Sequence, residues 1–313
     1  MNKNTAFSFV MPAYKMKFLY KAIDSILKQS YKDFELIIVN DSSPENLEEI
    51  VNQFQDKRIK YKTNEINIGE HDLVANWNHC IQFAKNDYII LATDDDMFEK
   101  DFLSKAVSLI SKYPNVNIVR SGVKKIDEHD IVLDYEFPLK EYMTGREFTL
   151  FYAKGGTISC ISNYIFRKDA LQKNGGFISF PHAHYSDDAT VLALSYNGIA
   201  CIPSNEMSFR VSDINLSNRP DLHLVKEQLE ATEHYMGWFL KHIKNINTIP
   251  SDFYERACYG GAKVRYLIMI EKLTNKIPIC KMSIALRFFY SLKHLFKKER
   301  LRLTISYFIN KLG

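Results

Sequence analysis

Two stretches of this chain, FELIIVN (residues 34–40) and YIILAT (residues 88–93), are apolar runs that end directly in acid. Asp41 follows the first, and Asp94, Asp95 and Asp96 follow the second. A strand with one wet face alternates apolar and polar residues, whereas an unbroken run suits a parallel strand covered by helices on both faces. FSFVMP is a third such run and RIKYKTN a weaker one. Between them, Leu19, Ala22, Ile23 and Ile26 recur at helical spacing, HDLVANWNHCIQFAKN reads as a helix, and Phe102, Leu103, Ala106 and Ile110 repeat the spacing. Strand–helix–strand units of this length predict right-handed crossovers in a parallel sheet, an α/β fold. Ligands of such sheets bind at the carboxyl ends of the strands, where Asp41 and Asp94–Asp96 fall.

The middle of the chain mixes strand-like ISCISNYIFR and EMSFRVS with a helical pattern from Asp187 to Tyr196. Beyond about residue 218 the glycine and strand signals thin out and long helical patterns take over. The division predicted is therefore a sheet domain over 1–218 and a helical C-terminal region over 219–313. With 313 residues and 46% hydrophobic content the chain can bury a sizeable core. No run approaches the roughly 18 to 20 apolar residues of a membrane span, and MNKNTAFSFVMPAY has no signal-peptide pattern. Five scattered cysteines without a CxxC pair argue against a disulfide framework or a structural zinc site, and fit a reducing cytoplasm.

The net charge of +4 hides an asymmetry. From Arg256 onward thirteen Lys and Arg face two acids, a surplus of eleven, which leaves the rest of the chain seven negative. Projected as one helix, residues 284–298 place Ile284, Ala285, Phe288, Phe289, Leu292, Leu295 and Phe296 on one face. Arg287, Lys293, His294, Lys297 and Lys298 fall opposite. Such a helix either lies on an anionic membrane surface or packs its apolar face on the body. Nucleic acid is the other anionic partner a basic tail suggests, but no recognition motif accompanies it, and none is expected to bind.

Adjacent carboxylates such as Asp94–Asp96 suit Mg2+ or Mn2+, hard cations that take oxygen ligands, while the same residues also favour turns and helix caps. The company they keep decides between these. FSFVMPAYKMKFLYKAIDSILKQSYKDFELIIVNDSSPEN resembles the opening of the family 2 glycosyltransferases: Pro12 and Tyr14 end a strand, then come Ser25, Leu27, Gln29, Ser30 and Tyr31, then Phe34–Asp41 with Ser43. NIG, AKNDYIILATDDD and a later GGF and SDD follow in the family's order, so the likeness covers roughly residues 6–217.

The resemblance implies a GT-A fold (a Rossmann-like mixed, mainly parallel sheet flanked by helices), a nucleotide-sugar donor (usually UDP-linked), a divalent cation (Mn2+ or Mg2+) and transfer with inversion. It places Asp41 at the nucleotide base, with Pro12, Ala13 and Tyr14 lining the same pocket. Asp94 matches the ribose-side acid, and Asp95, with Asp96 beside it, the metal-ligating position. Asp187-Asp188 matches the family's acidic pair, of which Asp188 is the general base and Asp187 orients it or the acceptor. The alternative for this pair is capping of the helix it begins.

Where many relatives carry Ala-Arg-Asn this chain reads Asn76-Trp77-Asn78, and Ser212 stands where some metal-dependent relatives place a His. Arg210 is left as a contact for diphosphate or acceptor, and Trp77 as core or pocket wall. The Gln-x-x-Arg-Trp motif of chain-extending synthases is absent, which predicts addition of one sugar. His182 and His184 form an H-x-H without a third metal ligand in view, so acceptor contact or a satisfied loop role is expected of them. The expectation is an inverting glycosyltransferase that extends a glycan or lipid-linked acceptor in the cytoplasm, at the inner membrane face. The competing reading is a non-catalytic nucleotide-sugar or glycan-binding subunit.

Overall fold

A computed structural model describes residues 5–213, 221–246 and 252–312. The domain boundary expected near residue 218 lies outside these. In chain order the elements are β1 (Phe7–Ala13), α1 (Leu19–Leu27), β2 (Phe34–Asn40), α2 (Leu47–Val51), β3 (Ile59–Thr63), α3 (Leu73–Cys80), β4 (Tyr88–Leu91), β5 (Met97–Phe98) and α4 (Phe102–Lys112). They continue with β6 (Ile118–Ile126), β7 (Val132–Tyr135), β8 (Tyr142–Met143), α5 (Gly145–Ala153), β9 (Tyr164–Arg167), α6 (Lys168–Lys173), α7 (Ser186–Leu194) and β10 (Ile199–Arg210). Four helices end the chain: α8 (Leu222–Asn245), α9 (Asp252–Thr274), α10 (Met282–Ser291) and α11 (Lys297–Leu312).

The strands form one mixed sheet in the order β3-β2-β1-β4-β9-β6-β10-β5, with β7 on β6 and β8 on β10. β1 pairs in parallel with both β2 and β4, and β9 runs antiparallel between β4 and β6. The apolar runs are where both faces are covered: every residue of β2 is buried, and α1 buries Leu19, Ala22, Ile23 and Ile26 against the sheet. Phe9 packs edge-on to Phe34 and Phe98, with Phe102 beside them, filling the space under β1. The chain winds outward from β1 through β2 to β3, then returns to β4 on the other side of β1. That reversal is the switch point at which such sheets bind ligands, and it sets the ends of β2, β1 and β4 side by side.

The chain divides into two compact units. The first holds the sheet and comprises residues 1–148, 157–179 and 186–212. The second takes the C-terminal helices together with two earlier excursions, Thr149–Gly156 and Phe180–Tyr185. In that second unit Tyr185 stacks on Tyr235 at 4.4 Å and Trp238 stacks on His242 at 5.1 Å.

The single helix expected over 284–298 is not formed. α10 stops at Ser291 and α11 begins at Lys297, and Leu292 at the break has extended backbone. Ala285, Phe289, Leu292 and Leu295 are buried, and Phe289 meets Tyr307 of α11 edge-on at 6.5 Å. Most of the apolar face of the tail is thus spent on packing, although Phe296 stays exposed. No helix among the described residues is long and apolar enough to cross a membrane.

Candidate active site

β2 delivers Asp41 into the turn at its end, and the carboxylate is fully engaged there. It accepts hydrogen bonds from Asn64 Nδ2 (2.7 Å), Ile68 N (3.0 Å), Gly69 N (2.7 Å) and Asn76 Nδ2 (2.9 Å). A carboxylate offers about four lone-pair positions, so none remains for a nucleotide base. Asp41 instead ties residues 64–69 and the start of α3 to the end of β2, and Ser42 after it holds a positive φ of 53°. A Cβ at Gly69 would stand 2.8 Å from Asp41 Oδ2, so a larger residue there displaces the clamped carboxylate.

The three acids after β4 turn three ways. Asp94 Oδ2 accepts from the backbone N–H of Tyr14 (2.8 Å) and Lys15 (2.7 Å), closing the turn at the end of β1. Asp96 points inward: Oδ2 accepts from Thr93 Oγ1 (2.6 Å) and Ser162 Oγ (3.0 Å), and Oδ1 from Arg210 N (3.0 Å). Asp95 lies between them, with Lys15 Nζ 3.1 Å from its Oδ2; the same ammonium is 3.8 Å from Asp94 Oδ1.

Burial, with the Asp95 charge adding to it, pushes the Asp96 carboxyl up to about 7. Burial also raises Asp94, opposed by Lys15 and reinforced by Asp95. Of the three, Asp95 is the acid whose carboxylate is held by one flexible side chain rather than by fixed hydrogen bonds. Asp96, expected as a metal ligand, is committed to the protein on both oxygens. The donor set fits a divalent cation: hard carboxylate oxygens gather where a cation, the Lys15 ammonium, already stands.

Arg210 does not face a ligand. Its guanidinium is completely buried, with Nε donating to Asp95 O (2.9 Å), Nη1 donating to Asp127 O (2.8 Å) and pairing with Asp130 Oδ1 (2.7 Å). It also lies 4.3 Å from the Phe18 ring centroid. The guanidinium thus holds the Asp95 carbonyl, and the backbone N–H of Arg210 holds the Asp96 carboxylate, so the residue expected as a diphosphate or acceptor contact sits behind the acids and is enclosed by protein. Tyr14, next to Pro12 and the buried Ala13, is 40% exposed and presents its ring to solvent at the mouth of the same strand ends.

Asp187 and Asp188 open α7. Asp187 Oδ1 accepts from the Asp188 amide at 2.9 Å, and burial together with the Asp188 charge pushes Asp187 up to about 7. Asp188 is buried and its Oδ1 has no hydrogen-bond partner among the described residues. Burial first, then the charges of Asp96 and Asp187, raise the Cys160 thiol well above its ordinary value. Both acidic elements therefore lie within electrostatic reach of one buried side chain.

Sequence reasoning missed Lys15, Asn64 and Ser162, and took Asn76 and Asn78 only as departures from a pattern. Asn76 is an Asp41 partner. Asn78 brackets residue 177, accepting from its N–H (2.8 Å) and donating to its carbonyl (3.1 Å). That approach requires Gly176, at φ 91°, where a Cβ would meet Asn78 Oδ1 at 2.3 Å. The signal available was a pair of amides two positions apart, Asn76 and Asn78, on one short helix. Trp77 packs edge-on to Phe177 at 5.7 Å.

A mixed sheet with flanking helices, whose switch point gathers acids from neighbouring strand ends, is the GT-A arrangement of sugar-transferring enzymes. The family model described as Glycosyl transferase family 2 matches residues 8–175, more than half of the chain, and the chain belongs to that family. It is 30% identical over 134 residues to the Escherichia coli UDP-Glc:alpha-D-GlcNAc-diphosphoundecaprenol beta-1,3-glucosyltransferase WfgD, covering 42% of this chain and 51% of that protein. The chain spans about half the length of the curated relatives it matches.

Among solved structures, S. aureus TarS 1–349 in complex with UDP-GlcNAc aligns with a TM-score of 0.64 at 15% identity, over 98% of this chain and 91% of that one. The mannosyltransferase PcManGT from Pyrobaculum calidifontis, in complex with GDP-Man and Mn2+, aligns with a TM-score of 0.54 at 14% identity, over 99% and 87%. At such identities the likeness speaks for the fold.

Proposed function

We propose that this chain transfers a single sugar from a nucleotide-sugar donor, UDP-linked, to a hydroxyl of a glycan or lipid-linked glycan, with inversion at the anomeric carbon. The observation that carries the reading is Asp188: a buried carboxylate with one oxygen unpartnered, set beside a second acid at the start of a helix. An acceptor hydroxyl hydrogen-bonded to that oxygen attacks the anomeric carbon as the bond to the diphosphate breaks, and its proton passes to Asp188. Asp187 orients the base by accepting its amide hydrogen.

The donor lies across the strand ends, its base in the pocket of Pro12, Ala13, Tyr14 and the loop clamped by Asp41, its ribose toward Asp94. Asp95 would hold Mn2+ or Mg2+, with Arg210 fixing its backbone carbonyl from behind. When bound, that cation neutralises charge on the departing diphosphate. A lipid-linked acceptor is supported by the diphosphoundecaprenol substrate named for WfgD, and the basic surplus of the tail supports a place at the inner membrane face.

The test is Asp188→Asn assayed with a panel of nucleotide sugars and Mn2+. UDP binding stays within about twofold of the parent while transfer falls by more than ~1000-fold. A parent protein that binds UDP-sugar yet neither transfers nor hydrolyses it, whatever the acceptor, is a binding subunit and removes the enzymatic reading.

A further inference from the structure

We propose that His182, His223 and Glu227, all in the second compact unit, form a binding site for a borderline-soft divalent cation, Zn2+ by its chemistry. Their ligand atoms all lie within 4.8 Å of one another. His223 and Glu227 stand one turn apart on α8, with Nδ1 of the one 3.1 Å from Oε2 of the other. His182 Nε2 contacts the same carboxylate oxygen. Ligand atoms around a tetrahedral zinc with bonds of 2.0–2.2 Å are spaced by roughly 3.3 Å, which the His223–Glu227 pair already provides and which His182 reaches by a small outward turn of its exposed ring.

His182 reaches this point at a conformational cost. His182, Ala183 and Tyr185 have φ of 50°, 57° and 71°, three non-glycine residues in the left-handed region within four positions. Such backbone persists where surrounding contacts over-determine it, and it concentrates at ligand-binding sites. Here Phe180 meets Tyr235 edge-on at 5.9 Å and Tyr185 stacks on the same ring, so both ends of the turn are anchored to α8. The start of α8 is fixed by Asp221, whose side chain accepts from His223 N at 2.8 Å. An exposed His–Glu–His contact returns little stability on its own.

The H-x-H of the sequence is thereby resolved. His184 is not a ligand: its ring packs on Tyr185 at 4.3 Å and burial pushes its pKa down to about 4. The second and third members of the cluster come from about forty residues downstream, in a helix whose ligand spacing is i, i+4. Two imidazoles and one carboxylate favour Zn2+ over Mg2+ or Mn2+, which distinguishes this site from the all-oxygen cluster at Asp95. Three protein ligands leave a coordination position open to water. The bound ion clamps the turn that runs directly into Asp187 and Asp188 in the chain.

The experiment is titration of the full chain with Co2+, then Zn2+, with excess Mg2+ present to fill the acid cluster. One equivalent of Co2+ is expected to give the visible absorption of a tetrahedral nitrogen-ligated ion, abolished when Zn2+ displaces it. His223 is 76% exposed, so His223→Ala leaves the fold intact by circular dichroism. It and Glu227→Gln are expected to weaken Zn2+ binding by more than ~100-fold, beyond the loss typical of a supporting residue. Asp95→Asn leaves it unchanged. Zn2+ binding equally tight in parent and His223→Ala, or no binding tighter than about 1 mM in the parent, overturns the proposal.

Discussion

The ammonium of Lys15 stands 3.1 Å from the carboxylate of Asp95, although eighty residues separate them in the chain. The turn that carries Lys15 is held by Asp94 through two backbone N–H groups, so one acid positions the cation that neutralises its neighbour. Replacing Lys15 by Met leaves Asp94 and Asp95 facing each other without a counter-charge. In chelator the variant is expected to unfold at a lower temperature, by about 1 kcal/mol of stability given the partial exposure of the pair. Addition of Mn2+ should restore much of the loss, and Mn2+ should bind more tightly than to the parent. A variant whose melting ignores Mn2+ would separate Lys15 from the cation site.

Asp41 is expected to behave as a clamp. In Asp41→Asn one oxygen is replaced by an amide donor that confronts N–H groups of Ile68, Gly69 and the Asn64 and Asn76 side chains. At least two hydrogen bonds are lost, at a cost of about 2–4 kcal/mol. Hydrogen exchange at the Ile68 and Gly69 amides should accelerate, and donor affinity should fall in step with that loosening. Weaker donor binding with unchanged exchange would instead mark direct contact with the base.

How far the sequence foretold these roles depended on separation along the chain. Continuous apolar runs had to become buried parallel strands, so the strand ends and the acids on them were legible from residues 34–41 and 88–96 alone. Which way each acid turns was not, because its partner lies far off. Asp94 answers to Tyr14 and Lys15, Asp96 to Ser162 and Arg210, and Asp41 to Asn64 and Asn76. The same limit explains the tail. Periodicity over 284–298 reads identically whether or not the helix breaks at Leu292, and the burial of Leu292 and Leu295 that accompanies the break leaves no mark on the projection. His182 likewise needed Glu227, a residue no local spacing connects to it.

Arg210 tests the idea that the acid cluster is supported from behind. Arg210→Lys keeps the charge but removes the planar fork that reaches Asp95 O, Asp127 O and the part-exposed Asp130 together; losing one or two of these hydrogen bonds costs about 1–3 kcal/mol. Urea denaturation should show that loss. Asp130→Asn should cost less, since Lys21, its exposed partner, remains in water and the backbone acceptors of Arg210 are kept. If Arg210 touched the diphosphate directly, Arg210→Lys would raise the KM for donor with little change in stability.

The final prediction concerns pH. In the folded chain Asp187 is pushed up to about 7 from an ordinary 3.8, by burial and by Asp188. Between those values the folded state holds a proton that the unfolded chain has released. The stability this contributes is fully present below about pH 4 and is lost as pH rises through 7. The sign for catalysis is opposite: a proton on Asp187 removes the negative charge beside the base and so weakens its pull on the acceptor proton, and kcat/KM is expected to fall below about pH 7. Asp187→Asn keeps the oxygen that accepts the Asp188 amide but removes the like charge. Its acidic limb should move to lower pH, and its thermal stability should vary less between pH 5 and pH 8 than the parent's. A limb that stays in place in Asp187→Asn belongs to another group, and the assignment of the pair as orienting acid and base then fails.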